Sequence, residues 1–115
     1  MKIQIFGRKK CFDTKKAQRY FKERNIPYQF IDLDQRSISP GEYNNIKQAL
    51  GGDFRRLIDP KSKAYESLYI AYQAYDQDVE QLLLENPALF RTPIVRNGKS
   101  QATIGYQPDV WRIWQ

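Results

Sequence analysis

The alternation of apolar and polar residues in the first third of the chain predicts a strand, a helix and a second strand. Residues 2–6 alternate around two isoleucines and lead into a glycine, which is typical of a short strand. Residues 14–25 carry apolar side chains at helical spacing, and residues 28–33 are apolar and aromatic. Because these segments fit the βαβ unit of about 30 residues, the two strands are predicted to be parallel. The predicted buried face of the helix consists of Ala17, Tyr20 and Phe21.

The next segment begins with a strong helix-start signal. The tetrapeptide Ser39-Pro40-Gly41-Glu42 has the spacing of a capping box, with proline at the first helical position. The glycine pair at 51–52 is expected to end this helix. Its predicted buried stripe consists of Tyr43, Ile46 and Leu50.

Two further helical segments are predicted before residue 87. Apolar and aromatic residues recur at helical spacing after Asp59-Pro60, and we expect this stripe to be buried rather than to form a substrate groove. Asp76 is predicted to cap a helix that ends at Asn86-Pro87. The stripe consists of Tyr65, Leu68, Tyr69 and Tyr72, and Tyr75 continues the tyrosine series.

The last third of the chain returns to a strand pattern. Residues 94–96 and 99–104 flank Asn97-Gly98, which predicts a hairpin with a type I′ turn. Pro108 is expected to open a final helix. The full order is β-α-β, a helical block and β-β-α, which predicts an α/β, thioredoxin-like fold with a four-stranded mixed sheet. We expect a single domain over residues 1–115, with a helical insertion at about 39–86.

Composition excludes several function classes. The chain has 115 residues, 41% of them hydrophobic and 14% aromatic, which favours one folded domain over a disordered segment. With one cysteine and no histidine, neither a zinc site nor a histidine-based triad is expected, so no metal ligands are assigned. The sequence offers no membrane span or signal segment, and we expect a cytoplasmic protein that does not bind membranes.

The excess positive charge lies in the segment around the single cysteine, Cys11. Residues 1–25 carry nine Lys and Arg against two acids, a net charge of +7, whereas residues 26–115 carry ten against eleven, a net charge of −1. This cluster has three interpretations: a solvated helix face, activation of the thiol, or binding of an anionic partner. Nucleic acid is disfavoured, because no RNP-like motif, zinc finger or repeated basic stripe is present.

Four segments of the sequence carry a resemblance to a known family. They are IQIFGRKKCFDTKKA, NIPYQFIDL, AYESL and ENPALFRTPIVRNGKSQATIGYQP, and in this order they span nearly the whole chain. The chain resembles the arsenate-reductase-like family, which includes the ArsC reductases and the Spx transcriptional regulators. The resemblance implies the same thioredoxin-like fold and a functional cysteine at Cys11.

The sequence departs from both kinds of relative at their functional positions. ArsC reductases hold arsenate with three arginines, and the matching positions here are Asp59, Thr92 and Gln107. Arsenate reduction is therefore not expected. Many Spx proteins use a Cys-x-x-Cys switch, but the second position here is Thr14, so an internal disulfide switch is excluded.

The resemblance implies that Cys11 lies in the loop before the first helix. The helix dipole and backbone amides favour an anion there, and Lys9, Lys10 and the Thr14 hydroxyl are expected to stabilise a thiolate. Asp13 would oppose them, because a nearby carboxylate raises a thiol pKa. The alternative is a small, buried and unreactive cysteine.

The resemblance also implies a partner-binding edge formed by Arg91, Thr92 and Pro93. In thioredoxin-like proteins the proline at this place is usually cis and faces the cysteine. The alternative is an ordinary trans proline that starts an edge strand.

Two functions follow from these expectations. The first is a thiol oxidoreductase without a bound cofactor, in which Cys11 reacts with a small thiol or a protein disulfide and an external thiol such as glutathione resolves the adduct. The second is an Spx-like, non-enzymatic adaptor that binds RNA polymerase or another protein through its basic N-terminal region. In either case we expect a monomer.

Overall fold

The computed structural model describes residues 1–114 and has a four-stranded mixed sheet at its centre, with the strand order β2-β1-β3-β4. Strand β1 is parallel to β2 and antiparallel to β3, and β3 is antiparallel to β4. The predicted thioredoxin-like fold and the predicted parallel pair are confirmed. The strands are β1 (Ile3–Gly7), β2 (Tyr28–Asp32), β3 (Ile94–Asn97) and β4 (Gln101–Ile104).

In the described part of the chain, five α-helices and three short 3₁₀ helices connect and cover these strands. Within residues 1–114, no helix combines the length and the apolar character that a membrane span requires. The α-helices are α1 (Phe12–Glu23), α2 (Pro40–Ala49), α3 (Lys63–Ser67), α4 (Asp76–Glu85) and α5 (Pro108–Trp114), and the 3₁₀ helices are Phe54–Leu57, Ile70–Tyr72 and Pro87–Leu89.

Strand β1 separates two hydrophobic cores. Because successive side chains of a strand point to opposite faces, Ile5 belongs to one core and Phe6 to the other, and both are fully buried. The first core lies between the sheet and helices α1 and α5, where the Trp111 indole nitrogen donates to Thr103 Oγ1 at 2.8 Å. The second core lies between the sheet and the helical segments from 38 to 90.

Helix α2 begins with the predicted capping box. The Ser39 hydroxyl accepts a hydrogen bond from the Glu42 amide at 3.3 Å, and a Glu42 carboxylate oxygen accepts one from the Ser39 amide at 2.9 Å. The two glycines after the helix have positive φ angles of 78° and 85°, a backbone conformation that glycine adopts easily. The predicted stripe of this helix, Tyr43, Ile46 and Leu50, is buried.

Helix α1 begins two residues earlier than the sequence pattern indicates. Cys11 has an extended backbone, and its carbonyl accepts a hydrogen bond from the Lys15 amide at 3.1 Å, so Phe12 is the first helical residue. The amphipathic pattern does not identify this first turn, because Phe12 is exposed although it is aromatic. Cys11 is therefore the N-cap residue of α1.

The hairpin turn differs from the predicted type I′ turn. Asn97 stays in β3 opposite Gln101, so the loop consists of Gly98, Lys99 and Ser100. A type I′ turn needs positive φ at two successive residues, but in Asn97-Gly98 only Gly98 has one, at 62°. The Asn97 side chain instead donates to the Gln101 side chain at 2.8 Å, which keeps Asn97 in the strand pair.

The predicted buried stripe of tyrosines is wrong. Tyr69, Tyr72 and Tyr75 are 65%, 84% and 70% exposed, and only Tyr65 and Leu68 are half-buried. Helix α3 ends at Ser67, and Tyr69 has the left-handed φ of 53°, so the residues after it leave the helical line.

The predicted cap of helix α4 is also wrong. The N-cap residue is Tyr75, and Asp76 is the first helical residue. The Asp76 carboxylate accepts a hydrogen bond from the Arg55 guanidinium at 2.6 Å, so it joins α4 to the 3₁₀ helix Phe54–Leu57 instead of capping its own helix.

Replacing Glu42 with glutamine tests the stability of the α2 start. Hydrogen bonds from the Arg36 guanidinium and from Ser39 lower the pKa of Glu42 to about 2. The carboxylate therefore stabilises the fold above its unfolded pKa of about 4.3 and loses that effect as pH falls toward 2. We expect Glu42→Gln to lower the free energy of unfolding by about 0.5–1 kcal/mol near neutral pH, with a smaller effect near pH 2.

Urea unfolding at several pH values measures this difference. Asp109→Asn is the control, because it removes a carboxylate from the exposed Asp109–Arg112 pair. A Glu42→Gln effect that is the same at all pH values would contradict the prediction.

Candidate functional site

The loop between β1 and α1 holds Cys11 at the end of the central strand. The Cys11 amide donates to the Arg8 carbonyl at 3.1 Å, which closes the turn. Gly7 allows helix α1 to come this close to the strand, since a Cβ atom at position 7 would lie 2.5 Å from Oγ1 and Cγ2 of the buried Thr14 side chain. The half-buried thiol is thus held between a strand end and a helix start.

The Cys11 sulfur contacts Thr92, which lies just before β3. The Thr92 hydroxyl donates to Sγ at 3.3 Å, and the thiol is within 3.7 Å of the Thr92 carbonyl oxygen as a donor. The Thr92–Pro93 peptide bond is cis, as the resemblance implies. Residues that are far apart in sequence therefore meet at the sulfur.

The pKa of the Cys11 thiol is lowered relative to its ordinary value. Burial has the largest single influence and raises the pKa, but hydrogen-bonding groups outweigh it together: the side chains of Thr14 and Thr92 and the backbone amides of Thr14 and Asp13. The Cys11 side chain accepts no capping hydrogen bond from the backbone of α1. The amides of Asp13 and Thr14 therefore favour the thiolate through their dipoles. Hydroxyl and amide dipoles thus favour the reactive form.

The three residues predicted to stabilise the thiolate differ in how deeply they are buried. Thr14 is fully buried, and its hydroxyl oxygen accepts a hydrogen bond from the Arg8 amide at 3.4 Å. The side chains of Lys9 and Lys10 are exposed, and neither is among the groups that lower the pKa of Cys11. A contribution of these two lysines to thiolate stability stays a prediction.

Sequence reasoning missed Arg8, whose guanidinium donates hydrogen bonds to the segment that ends at Thr92. Nη1 donates to the Phe90 carbonyl at 3.1 Å and to the Thr92 hydroxyl oxygen at 3.4 Å, and Nη2 donates to the Pro87 carbonyl. Nε lies 3.6 Å from an Asp34 carboxylate oxygen, just beyond β2. Since the Thr92 oxygen accepts from Arg8, its own proton remains available to the sulfur.

The other residues of the predicted partner-binding edge have different surroundings. Pro93 is buried, and its carbonyl accepts from the Gly105 amide at 2.8 Å. Arg91 is exposed and lies with Arg55 and Tyr65 at a shallow surface pocket, while its backbone amide donates to the Leu57 carbonyl. Of this edge, Thr92 is the residue that hydrogen-bonds to the sulfur, and the partner-binding roles stay predictions.

Two of the residues at the positions of the family arginines make hydrogen bonds to residues nearby in the sequence. An Asp59 carboxylate oxygen accepts from the Lys61 amide at 2.9 Å, and the Gln107 side-chain amide donates to the Ile104 carbonyl at 3.1 Å. Within residues 1–114, no three His, Cys, Asp or Glu side chains are grouped in a way that could hold a metal ion.

The sequence profile of the ArsC family matches residues 6–114. The chain belongs to the ArsC family. The identification that the sequence motifs suggest is therefore confirmed, and the departures at Asp59, Thr92 and Gln107 are departures within the family.

The relatives that are similar in sequence include transcriptional regulators. The chain is 26% identical over 108 residues to the global transcriptional regulator Spx of Staphylococcus saprophyticus, with 93% of this chain and 82% of that protein covered. It is 25% identical over the same coverage to the Spx protein of Staphylococcus aureus.

The similar solved structures include a reductase. An arsenate reductase from Vibrio cholerae is 26% identical, with a TM-score of 0.83 and coverage of 96% of this chain and 94% of that chain. An ArsC-family-related protein from Bacteroides fragilis has a TM-score of 0.79 at 18% identity, with 100% and 98% covered, which shows the shared fold alone. Family membership thus includes both regulators and enzymes.

Removing the Thr92 hydroxyl tests its contact with the sulfur. We expect Thr92→Val to raise the pKa of Cys11, because the thiolate loses a hydrogen-bond donor. Alkylation by iodoacetamide near neutral pH should become several-fold slower, and the midpoint of the rate profile should move to higher pH. Thr103→Val, which changes a threonine bonded to Trp111, is the matched control. An unchanged midpoint in Thr92→Val would contradict the assignment.

Adding one methyl group at Gly7 tests the close approach of α1 to β1. Gly7→Ala should lower the free energy of unfolding by about 1–3 kcal/mol, because the new Cβ atom overlaps the buried Thr14 side chain. Gly41→Ala is the control, since no atom lies within 4 Å of a Cβ atom there. Denaturant unfolding of both variants measures the difference, and equal stabilities would show that α1 shifts without cost.

Proposed function

We propose that this chain is a thiol oxidoreductase that uses Cys11 as its single nucleophile. The observation that carries the proposal is the hydrogen bond of 3.3 Å that the Thr92 hydroxyl donates to the Cys11 sulfur, in a site where the pKa of the thiol is lowered. A thiolate is the form that attacks disulfides, so a lowered pKa increases the reactive fraction near neutral pH. A merely structural cysteine in an apolar core would have a raised pKa instead.

The reaction is a thiol–disulfide exchange. The Cys11 thiolate attacks one sulfur of a substrate disulfide, a new disulfide forms between Cys11 and that sulfur, and the other substrate sulfur leaves as a thiolate. The thiolate of a second, external thiol then attacks the mixed disulfide and releases Cys11 as a thiolate. The chain contains no second cysteine, so the resolving thiol comes from another molecule. Glutathione is a suitable external thiol.

The proposal does not include arsenate as a substrate. In place of the three family arginines the chain has Asp59, Thr92 and Gln107, so the tetrahedral anion lacks its expected cationic ligands. The half-buried guanidinium of Arg8 is engaged by two backbone carbonyls and by Asp34. Turnover of arsenate by the purified protein with glutathione and glutaredoxin would contradict this exclusion.

A second candidate function is that of an Spx-like adaptor. It is favoured by the identity of 25–26% to Spx regulators over 93% of this chain. RNA polymerase is then the partner that the resemblance implies. In an adaptor the interaction depends on surface residues, so it does not require the Cys11 sulfur.

The variant Cys11→Ser separates the two functions. We expect the wild-type protein to gain the mass of one glutathione when it is incubated with oxidised glutathione, and to lose it when excess reduced glutathione is added. Cys11→Ser should remain unmodified and fold normally, because serine is nearly isosteric at this half-buried position. Intact-protein mass spectrometry and circular dichroism measure these outcomes.

The contrary result identifies the adaptor. If the wild-type protein forms no glutathione adduct while iodoacetamide still alkylates Cys11, the oxidoreductase proposal is wrong. Binding of RNA polymerase with equal affinity by wild type and Cys11→Ser would then support the adaptor function.

A further inference from the structure

Four exposed lysines surround the Cys11 loop and the first turns of α1. We call Lys9, Lys10, Lys15 and Lys16 the basic patch. Within residues 1–114, none of the four lies within ion-pair distance of a carboxylate. The cations that do form ion pairs are Arg8, Arg36, Lys47, Arg55 and Arg112. No ion pair within the described residues therefore neutralises the charge of the patch.

Two exposed aromatic rings lie within the basic patch. Phe12 directly follows the cysteine and is 78% exposed, with the Lys15 ammonium 5.5 Å from its ring centroid. The Lys16 ammonium lies 5.6 Å from the ring centroid of Tyr106, which is also exposed. Exposed aromatics beside cations are typical of surfaces that bind another polypeptide.

The charge distribution along the chain gives the patch a preferred kind of partner. Residues 1–25 have a net charge of +7 and the rest of the chain has −1, so the excess positive charge lies in the segment that contains β1, the Cys11 loop and α1. Four of its nine cations are the lysines of the basic patch. A cluster of like charges raises the local concentration of oppositely charged partners and their rate of association. A partner that covers the basic patch also covers Cys11.

We infer that the basic patch binds an acidic polypeptide segment and thereby selects the disulfide that Cys11 attacks. The inference rests on the proposed function and names its substrate class. A polypeptide is favoured over a nucleic acid, because the partner must supply the sulfur that exchanges with Cys11. In the exchange the Cys11 thiolate bonds to the cysteine sulfur of the segment, and the former partner of that sulfur leaves as a thiolate.

Three synthetic peptides with the same leaving group test the inference. Each contains one cysteine as a mixed disulfide with 2-thiopyridine, flanked by acidic, by basic or by uncharged residues. Attack at the cysteine sulfur releases pyridine-2-thione, which absorbance measures directly. We expect the acidic peptide to react about 10-fold or more faster than the basic peptide at low ionic strength. The two rates should approach each other in about 1 M salt, where charges are screened within ~3 Å.

Two double variants with the same change of net charge provide the matched comparison. Lys9→Gln/Lys10→Gln alters the patch beside the thiol. Lys2→Gln/Lys99→Gln alters exposed lysines at the opposite end of β1, where the Lys2 carbonyl accepts from the Gly98 amide. Each peptide rate is divided by the rate with uncharged iodoacetamide, which removes any change in thiol reactivity. Only the first variant should lose most of the preference for the acidic peptide.

The outcomes separate the inference from the proposed function. Exchange at equal rates with all three peptides, or an equal loss of preference in both double variants, would overturn the inference and leave thiol exchange intact. Protection of Cys11 by a DNA oligonucleotide, at concentrations where an acidic peptide without cysteine gives none, would identify a nucleic-acid surface and also overturn it. If no peptide exchanges while iodoacetamide alkylates Cys11, the proposed function itself is wrong and the inference fails with it.

Discussion

Burial of β1 on both faces is the constraint on which the rest of the structure depends. Ile5 packs toward α1 and α5 while Phe6 packs toward the helical segments between 38 and 90, so both cores are organised around one strand of five residues. A shift of its register by one residue would exchange the two sets of side chains between the cores. Because the strand is fixed in this way, the loop that follows it is also fixed, and so is the thiol at the end of that loop.

The site is assembled from parts of the chain that only the fold brings together. The guanidinium of Arg8 binds the backbone of the segment that ends at Thr92, and the Thr92 hydroxyl reaches the sulfur. One half-buried cation thus positions a neutral donor, and that donor acts on the thiol directly. This arrangement lowers the thiol pKa without placing a full positive charge against the sulfur, so exposed lysines remain available for contacts outside the molecule.

The sequence was informative where local chemistry determines local structure. Alternation around Ile3 and Ile5 predicted β1, and the Ser39–Glu42 pair predicted the start of α2. It was uninformative where residues of the same type differ only in tertiary contacts: Arg8 cannot be told from the neighbouring lysines before the fold places Thr92 beside it. The tyrosines after 65 have helical spacing, but the left-handed backbone at Tyr69 removes them from one helical face. The cis bond before Pro93 was anticipated through family resemblance and not through any local pattern.

A single cysteine changes the kind of equilibrium that oxidation obeys. A protein with two neighbouring thiols can close a ring, and the ratio of its oxidised and reduced forms is then independent of its own dilution. Cys11 has no such neighbour in the chain, so it can form a disulfide only by joining a second molecule. At a given redox potential, the fraction of Cys11 that is oxidised therefore depends on the concentration of the molecule that it joins. Such a protein responds to the abundance of a particular companion as well as to the redox potential around it.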